Sequence, residues 1–170
     1  MSTPSVASEQ PDVAEPDATA PSAFHRMADF LALPRLGGLA LSPDGTRLAV
    51  SVATLDAEKK KWQSALWEVD PTGVSPARRL TRSAPGESAP AWLPDGSLLF
   101  TSARPVPGAK EDGEPKPALW NLPAAGGEAR PVVTRSSGIS GFAVAADTGD
   151  LVVAASAMAG HRPARSGRNC

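Results

Sequence analysis

The chain contains a sequence unit that occurs twice and then begins a third time without being completed. The second copy follows the first at a nearly constant distance: Asp95 lies 51 residues after Asp44, and Trp120 lies 53 residues after Trp67. The third copy begins as ISGFAVAADTGDLVVAAS. Repeats of this length are typical of β-propeller blades and other arrays, in which neighbouring units stack to bury a shared core. No other feature limits the possible folds as strongly.

Turn-forming residues divide each copy into short strands. In the first copy Pro43, Asp44 and Gly45 predict a tight turn, because proline presets φ, aspartate bonds the backbone ahead, and glycine accepts a positive φ. Leu48 and Val50 alternate with other residues, which predicts a strand with both on one face. The second copy predicts four strands, near 89–92, 97–102, 118–122 and 129–134. The third copy predicts two, at 139–145 and 150–156.

These patterns predict an all-β fold: an incomplete β-propeller of about two and a half four-stranded antiparallel blades, after a disordered leader and a short helix. The predicted segments are a disordered leader at 1–23, a short helical lead-in at 24–37, a partial propeller at 38–157, and a basic tail at 158–170. Within the propeller, blades are predicted near 38–82 and 89–134, with a half blade at 139–157. Such a fold leaves apolar faces in contact with water, which costs about 25 cal/mol per Å² of apolar surface. It also leaves an unpaired strand edge near 150–156.

Composition excludes several classes of partner. The formal net charge is −1, so we expect no bulk attraction to nucleic acid or to an anionic membrane. Cys170 is the one cysteine, so no disulfide framework can form within the chain. Residues 1–23 have no basic start and no apolar run, which predicts a disordered segment and not a signal peptide. With no apolar stretch of roughly 20 residues, a soluble cytoplasmic protein is expected.

The composition changes again after Ala159, where the sequence reads GHRPARSGRNC. The change coincides with the point at which the third copy stops, so we expect an interrupted reading frame near residue 160 and a non-native tail. Two alternatives stay open: the disordered end of a short protein, and a basic tail that binds an anionic partner.

The sequence offers no constellation of catalytic or metal-binding residues. A nucleophilic hydrolase needs a serine or cysteine activated by a histidine, but His25 precedes the first blade and His161 lies in the tail, each without a motif. The nucleophile elbow G-x-S-x-G is absent, and one cysteine with two distant histidines cannot form a zinc site. Asp44 and Asp95 are interpreted as turn formers and not as calcium ligands. We therefore expect no catalytic, cofactor-binding or metal-binding residue, and no cofactor.

The tryptophans are interpreted from their positions in the repeat. Trp67 and Trp120 occupy equivalent strand positions, and Trp92 ends an inner strand, so all three are predicted to lie in the core. Trp62 follows the lysine run at 59–61 in a polar loop. An exposed contact residue is the alternative interpretation for Trp62 alone.

The repeat resembles the PD40 unit of TolB-like propellers, in which a Pro-Asp-Gly turn precedes an apolar strand; here it reads LSPDG at 41–45 and WLPDG at 92–96. The order of the flanking segments is more specific. FHRMADFLALPRLGGLALSPDGTRLAVSVATLD is followed by SALWEVDP, ARRLTRS, GESAPAWLPDGSLLFTSARP and ALWNLPAAGGEAR. Over about residues 24–157 this order closely resembles the N-terminal part of bacterial prolyl oligopeptidase-family (S9) serine peptidases, which include acylaminoacyl peptidases and dipeptidyl aminopeptidases.

The resemblance implies an N-terminal propeller that gates access to a C-terminal α/β-hydrolase domain carrying serine, aspartate and histidine. No position of this chain matches those catalytic residues, so none is carried over. The expected role is that of a propeller fragment of a serine peptidase, inactive alone, with short peptides as substrates only in the full-length context. The alternative is a non-catalytic TolB-like or WD40-like propeller module that binds proteins. Self-association through the uncovered blade edges is expected in either case.

Overall fold

A computed structural model describes residues 25–58, 60–108 and 114–156. The predicted leader at 1–23 and tail at 158–170 lie outside the described residues, as do His161 and Cys170. The chain divides into two units between Leu31 and Ala32.

Helix α1 (Met27–Ala32) lies in the first unit except for its last residue, and it agrees with the predicted short helix. Asp29 lies in its first turn and pairs with Arg26, Nε to Oδ2 at 3.8 Å. Both side chains are well exposed, so the pair contributes little stability. Pro34 follows shortly after the helix and prevents its continuation. No helix among the described residues is long and apolar enough to cross a membrane.

Among its described residues, the second unit contains ten strands in three antiparallel sheets. Each four-stranded sheet has its strands in chain order, which is the arrangement of a propeller blade. The predicted all-β fold, an incomplete propeller, is thereby confirmed. Blade 1 consists of β1 (Arg35–Leu41), β2 (Leu48–Leu55), β3 (Trp62–Val69) and β4 (Arg78–Arg79). Blade 2 consists of β5 (Glu87–Trp92), β6 (Leu98–Ser102), β7 (Ala118–Leu122) and β8 (Arg130–Val133), and half blade 3 of β9 (Gly141–Val144) and β10 (Leu151–Ala154).

The start of blade 1 differs from the prediction, because β1 begins at Arg35, inside the predicted lead-in at 24–37. Gly37 and Gly38 lie at a bulge within β1, between Leu36 and Leu39. A Cβ atom at Gly38 would lie 2.9 Å from Cδ of Pro90, which no real Cβ tolerates. The absence of a side chain at Gly38 therefore permits the first strands of two successive blades to approach closely.

The two Pro-Asp-Gly turns form as predicted, each built around its aspartate. Asp44 Oδ1 accepts hydrogen bonds from the hydroxyl of Ser42 at 2.6 Å and from the backbone N–H of Thr46 at 3.1 Å. Asp95 Oδ1 accepts from the hydroxyl and the backbone N–H of Ser97, at 2.6 and 2.9 Å. These bonds fix the chain reversal between the first two strands of each blade.

The first of these turns is one residue longer than the second. In blade 1 the N–H of Ser42 bonds the carbonyl of Arg47, whereas in blade 2 the N–H of Leu93 bonds the carbonyl of Ser97. The equivalence between the two copies therefore shifts by one residue after the turn. The strand registers then give the following equivalent pairs: Leu41 and Trp92, Leu48 and Leu98, Ala49 and Leu99, Val50 and Phe100, Leu66 and Leu119, and Trp67 and Trp120.

Each blade has an upstream face, directed toward the preceding blade, and a downstream face, directed toward the following one. The downstream face of blade 1, with Ala49 and Leu66, packs in one core with the upstream face of blade 2. The downstream face of blade 2, with Leu99 and Leu119, packs in a second core with half blade 3. The upstream face of blade 2 consists of Trp92, Leu98, Phe100 and Trp120, whose exposed fractions are 7, 1, 0 and 2%.

The tryptophans follow this arrangement. Trp92 and Trp120 lie in the core, as predicted. Trp67 belongs to neither core and is only half-buried, which contradicts its predicted core position. The reason is that no blade among the described residues packs against the upstream face of blade 1. Trp62 is 37% exposed, and the guanidinium of Arg35 lies 4.0 Å from the centre of its ring.

Candidate functional site

A buried carboxylate lies at the junction of blades 1 and 2. Glu87 is the first residue of β5, and its side chain is fully buried. Three donors surround it: the hydroxyl of Thr81 at 2.9 Å, the backbone N–H of Ser83 at 2.9 Å, and Nη2 of Arg104 at 2.7 Å. The first two come from the segment that leaves blade 1, and Arg104 follows β6 of blade 2. The carboxylate therefore joins the two blades.

Arg104 is held against blade 2 by its aromatic residues. Its guanidinium lies 4.8 Å from the ring centre of Trp120 and 5.3 Å from that of Phe100, within the range of cation–π attraction. Only 15% of its side chain is exposed, and its Nε atom has no hydrogen-bond partner among the described residues. On the solvent side of Arg104, Oε1 of Glu128 lies 3.9 Å from Nη1, and 91% of the Glu128 side chain is exposed.

Thr81 connects this ion pair to the main chain of blade 1. Its hydroxyl oxygen accepts the N–H of Leu66 at 2.9 Å and donates to Glu87. The hydroxyl of Ser102 donates to the carbonyl of Gly86 at 2.8 Å, beside the carboxylate. Because both carboxylate oxygens are bonded and no side-chain surface is open to solvent, a substrate cannot contact Glu87. We interpret the cluster as the connection between two blades.

A second charged cluster lies near the turn of blade 1. Glu68 accepts from Nε of Arg47 at 2.6 Å and from Nη2 of Arg78 at 2.7 Å. Arg47 also reaches blade 2, with its guanidinium 4.3 Å from the ring centre of Trp92. The hydrogen bond from Arg47 lowers the pKa of Glu68, and the bond from Arg78 adds to this, against the opposing effect of burial. This cluster borders a cleft of about 400 Å³, lined by Thr46, Glu68, Val69, Asp70, Ser75, Pro76 and Arg78.

Asp70 begins the turn after β3 and is bonded by three donors. The hydroxyl and N–H of Thr72 lie 2.6 and 2.8 Å from Oδ1, and the N–H of Ser75 lies 3.0 Å from Oδ2. These bonds lower the pKa of Asp70 from its usual 3.8 to about 2, with the Thr72 hydroxyl contributing most. The pKa of Asp44 is lowered chiefly by the Ser42 hydroxyl, and that of Asp95 chiefly by the Ser97 hydroxyl.

These turn carboxylates predict a loss of stability in acid. Because the pKa of Asp70 is lower in the folded state, its contribution is fully present above pH 4 and is lost as the pH falls toward 2. The urea midpoint of unfolding should therefore fall over that interval. Asp70→Asn should show a shallower fall than the wild type, and equal slopes in the two proteins would contradict this assignment.

The predicted absence of catalytic and metal-binding residues remains a prediction. Within residues 25–58, 60–108 and 114–156 there is no group of three His, Cys, Asp or Glu side chains that could hold a metal ion. Asp44 and Asp95 act in turns, as predicted from the sequence. Sequence reasoning missed Glu87 and Arg104. The available signal for Glu87 was a charged residue just before the strand predicted near 89–92, and Arg104 had none.

No protein-family model matches the chain, and no curated protein does. Solved structures similar to it include a putative TolB from Agrobacterium tumefaciens, at 17% identity and a TM-score of 0.44, covering 63% of this chain and 32% of that one. The isopeptidase AtxE2 in its apo form is 18% identical, with a TM-score of 0.49 and coverages of 66% and 20%. TolB from Acinetobacter baumannii is 14% identical, with a TM-score of 0.42 and coverages of 78% and 39%.

The chain thus spans 20 to 39% of the length of these three structures. At these TM-scores the alignments do not define the fold. The propeller architecture rests instead on the strand order and on the two cores between successive sheets.

Proposed function

We propose that this chain is the N-terminal propeller portion of an S9-type serine peptidase, in which the blades restrict access of short peptides to a hydrolase domain. The observation that carries the proposal is the order of sequence segments over about residues 24–157, including both Pro-Asp-Gly turns. The blade architecture supports it, because those segments form two consecutive four-stranded sheets with a shared core.

The described part of the chain has the features of a scaffold. Its buried carboxylate, Glu87, is fully bonded, and its acidic residues Asp44 and Asp70 are bonded within the turns that they stabilise. In the proposed role such a segment supplies shape and contact surfaces, while the nucleophile and its base belong to the hydrolase domain.

The coding DNA and a peptidase assay together test the proposal. We expect one reading frame beyond residue 160 to encode further blades and a G-x-S-x-G motif, and the longer product to cleave acylaminoacyl or aminoacyl p-nitroanilides. The purified 170-residue chain should leave these substrates intact. The proposal is wrong if no frame continues the blade pattern, or if the 170-residue chain cleaves them by itself.

A non-catalytic propeller module that binds proteins is the second candidate. The observation that favours it is the apolar upstream face of blade 1, on which Leu41 is 56% exposed. The same DNA distinguishes the two candidates. A non-catalytic module predicts no G-x-S-x-G motif, whether or not further blades are encoded.

A further inference from the structure

The connections between strands lie at two ends of the blades, and the two ends differ in charge. One end, which we call the turn end, carries the turns after β1, β3, β5, β7 and β9. The other, the loop end, carries the connections after β2, β4, β6 and β8. The first strands of blades 1 and 2 lie side by side at the same level, with Gly38 opposite Ala89 and Pro90. Equivalent connections of the two blades therefore lie at the same end.

The turn end is acidic, and its carboxylates are bonded within the turns. Asp44, Asp70 and Asp95 each accept hydrogen bonds from residues of their own turn. Asp150 does the same in half blade 3, where its Oδ2 accepts the hydroxyl of Thr148 at 2.7 Å. The negative charge of this end thus fixes the conformation of its own turns.

The loop end carries cations that have no such partners. One exposed cation lies at the start of β1, and the others lie in the four connections of this end: Arg35, Lys61, Arg82, Lys116 and Arg135. None of them forms an ion pair with another described residue.

The carboxylates at the loop end do not balance these cations. Glu58 already pairs with Lys60 at 2.8 Å, and Glu87 is buried against Arg104. The remaining acidic residues described at this end are the half-buried Asp56 and the exposed Glu114. The described part of the loop end therefore carries an excess of positive charge.

Trp62 adds an apolar surface to the loop end. It is the first residue of β3, follows Lys61 directly and is 37% exposed. The guanidinium of Arg35 lies 4.0 Å from the centre of its ring, so a cation already occupies part of the indole surface. The accessible remainder of the indole lies between cationic side chains.

The start of β3 is fixed to the segment that joins blades 1 and 2. Nε2 of Gln63 donates to the carbonyls of Ser83 and Ala84, at 3.4 and 2.7 Å. Arg82 directly precedes Ser83 in that segment. These bonds hold Lys61, Trp62 and Arg82 close together, and we call these three residues the basic surface.

We propose that the basic surface binds an acidic peptide segment of a partner protein. Carboxylates of the segment pair with Lys61 and Arg82, which form no ion pair within the described part of the chain. An apolar side chain of the segment packs on the accessible part of the Trp62 indole. This proposal does not depend on the proposed function.

A single-stranded nucleic acid fits the basic surface less well. Proteins that bind such strands stack successive bases on several aromatic side chains. Trp62 is the one exposed aromatic residue among the described residues of the second unit. The formal net charge of −1 also opposes the binding of a long polyanion.

Fluorescence anisotropy with labelled peptides tests the proposal on the 170-residue chain. The probe is a fluorescein-labelled peptide of glutamates around a central leucine, and the reference peptide has glutamine in place of glutamate. At low salt we expect the acidic peptide to bind about tenfold more tightly than the reference, from two exposed ion pairs. Raising the salt to about 0.15 M, where the Debye length is about 8 Å, should reduce this difference.

Charge reversals locate the binding. Lys61→Glu and Arg82→Glu should each weaken binding of the acidic peptide about fivefold. Arg130→Glu is the matched control, because Arg130 is exposed at the start of β8, at the turn end, and its reversal changes the net charge equally. It should change binding by less than about twofold. Lys61→Gln and Arg82→Gln, which only remove the charge, are second variants and should weaken binding by a smaller factor.

Trp62→Ala tests the apolar part of the basic surface. It should weaken binding of the peptide with the central leucine and leave binding of a version with a central glycine unchanged. The proposal is overturned if the wild type binds the acidic peptide no better than the reference, or if Arg130→Glu weakens binding as much as Lys61→Glu and Arg82→Glu. Tighter binding of a labelled oligothymidylate than of the acidic peptide also overturns it.

Discussion

Replacing Glu87 with alanine is expected to lower the free energy of unfolding by about 3–5 kcal/mol, the cost of breaking a buried ion pair by removing one partner. The substitution removes the acceptor for Thr81, for the N–H of Ser83 and for Arg104. It leaves the Arg104 charge largely buried, with its Nε already unbonded. Since ordinary domains are stable by only about 5–15 kcal/mol, this single change should remove a large share of the total.

Glu128 provides the matched control, because it approaches the same guanidinium from solvent. Its Oε1 lies 3.9 Å from Arg104, and its side chain is 91% exposed. An exposed ion pair contributes about 0–1 kcal/mol, so Glu128→Ala should change stability very little. Urea unfolding followed by far-UV circular dichroism measures both. Equal losses for the two variants would show that Glu87 does not connect the blades.

Trp120→Ala is expected to cost about 3–5 kcal/mol, the usual loss for truncating a buried large aromatic residue. The side chain is 2% exposed in the core between blades 1 and 2. Its truncation also removes the ring beneath Arg104 and the hydrogen bond from Nε1 to the carbonyl of Ser102.

Trp67→Ala is the internal control, since Trp67 occupies the equivalent position in blade 1. No blade among the described residues packs on the upstream face of blade 1. Trp67→Ala therefore removes less buried apolar area than Trp120→Ala and should lower the free energy of unfolding by less than about 2 kcal/mol. Urea unfolding should be measured in dilute protein, where self-association does not contribute. The face assignment would be wrong if Trp67→Ala cost as much as Trp120→Ala.

The blade architecture was predictable because its signals are local. Tight turns at Asp44 and Asp95 and alternation along the strands need only neighbouring residues, and the repeat length then identified the blades. The position of Trp67 was not predictable by the same means. Its sequence environment matches that of Trp120, and the difference lies in whether a blade among the described residues packs on the upstream face.

The ion pair of Glu87 and Arg104 between the blades could not be predicted from the sequence, for a related reason. Glu87 and Arg104 lie 17 residues apart, and only the folded sheet brings them onto one junction. In each case the missing information was a tertiary contact.

Hydrogen exchange of the four indole N–H groups tests most directly whether the blades pack face to face in chain order. The Nε1–H of Trp92 bonds the carbonyl of Ala40, so it is protected only if blade 2 is packed on blade 1. Trp120 bonds within blade 2. After assignment with single Trp→Phe variants, the account predicts slow exchange at Trp92 and Trp120 and fast exchange at Trp62 and Trp67. Exchange at Trp92 as fast as at Trp62 would contradict it.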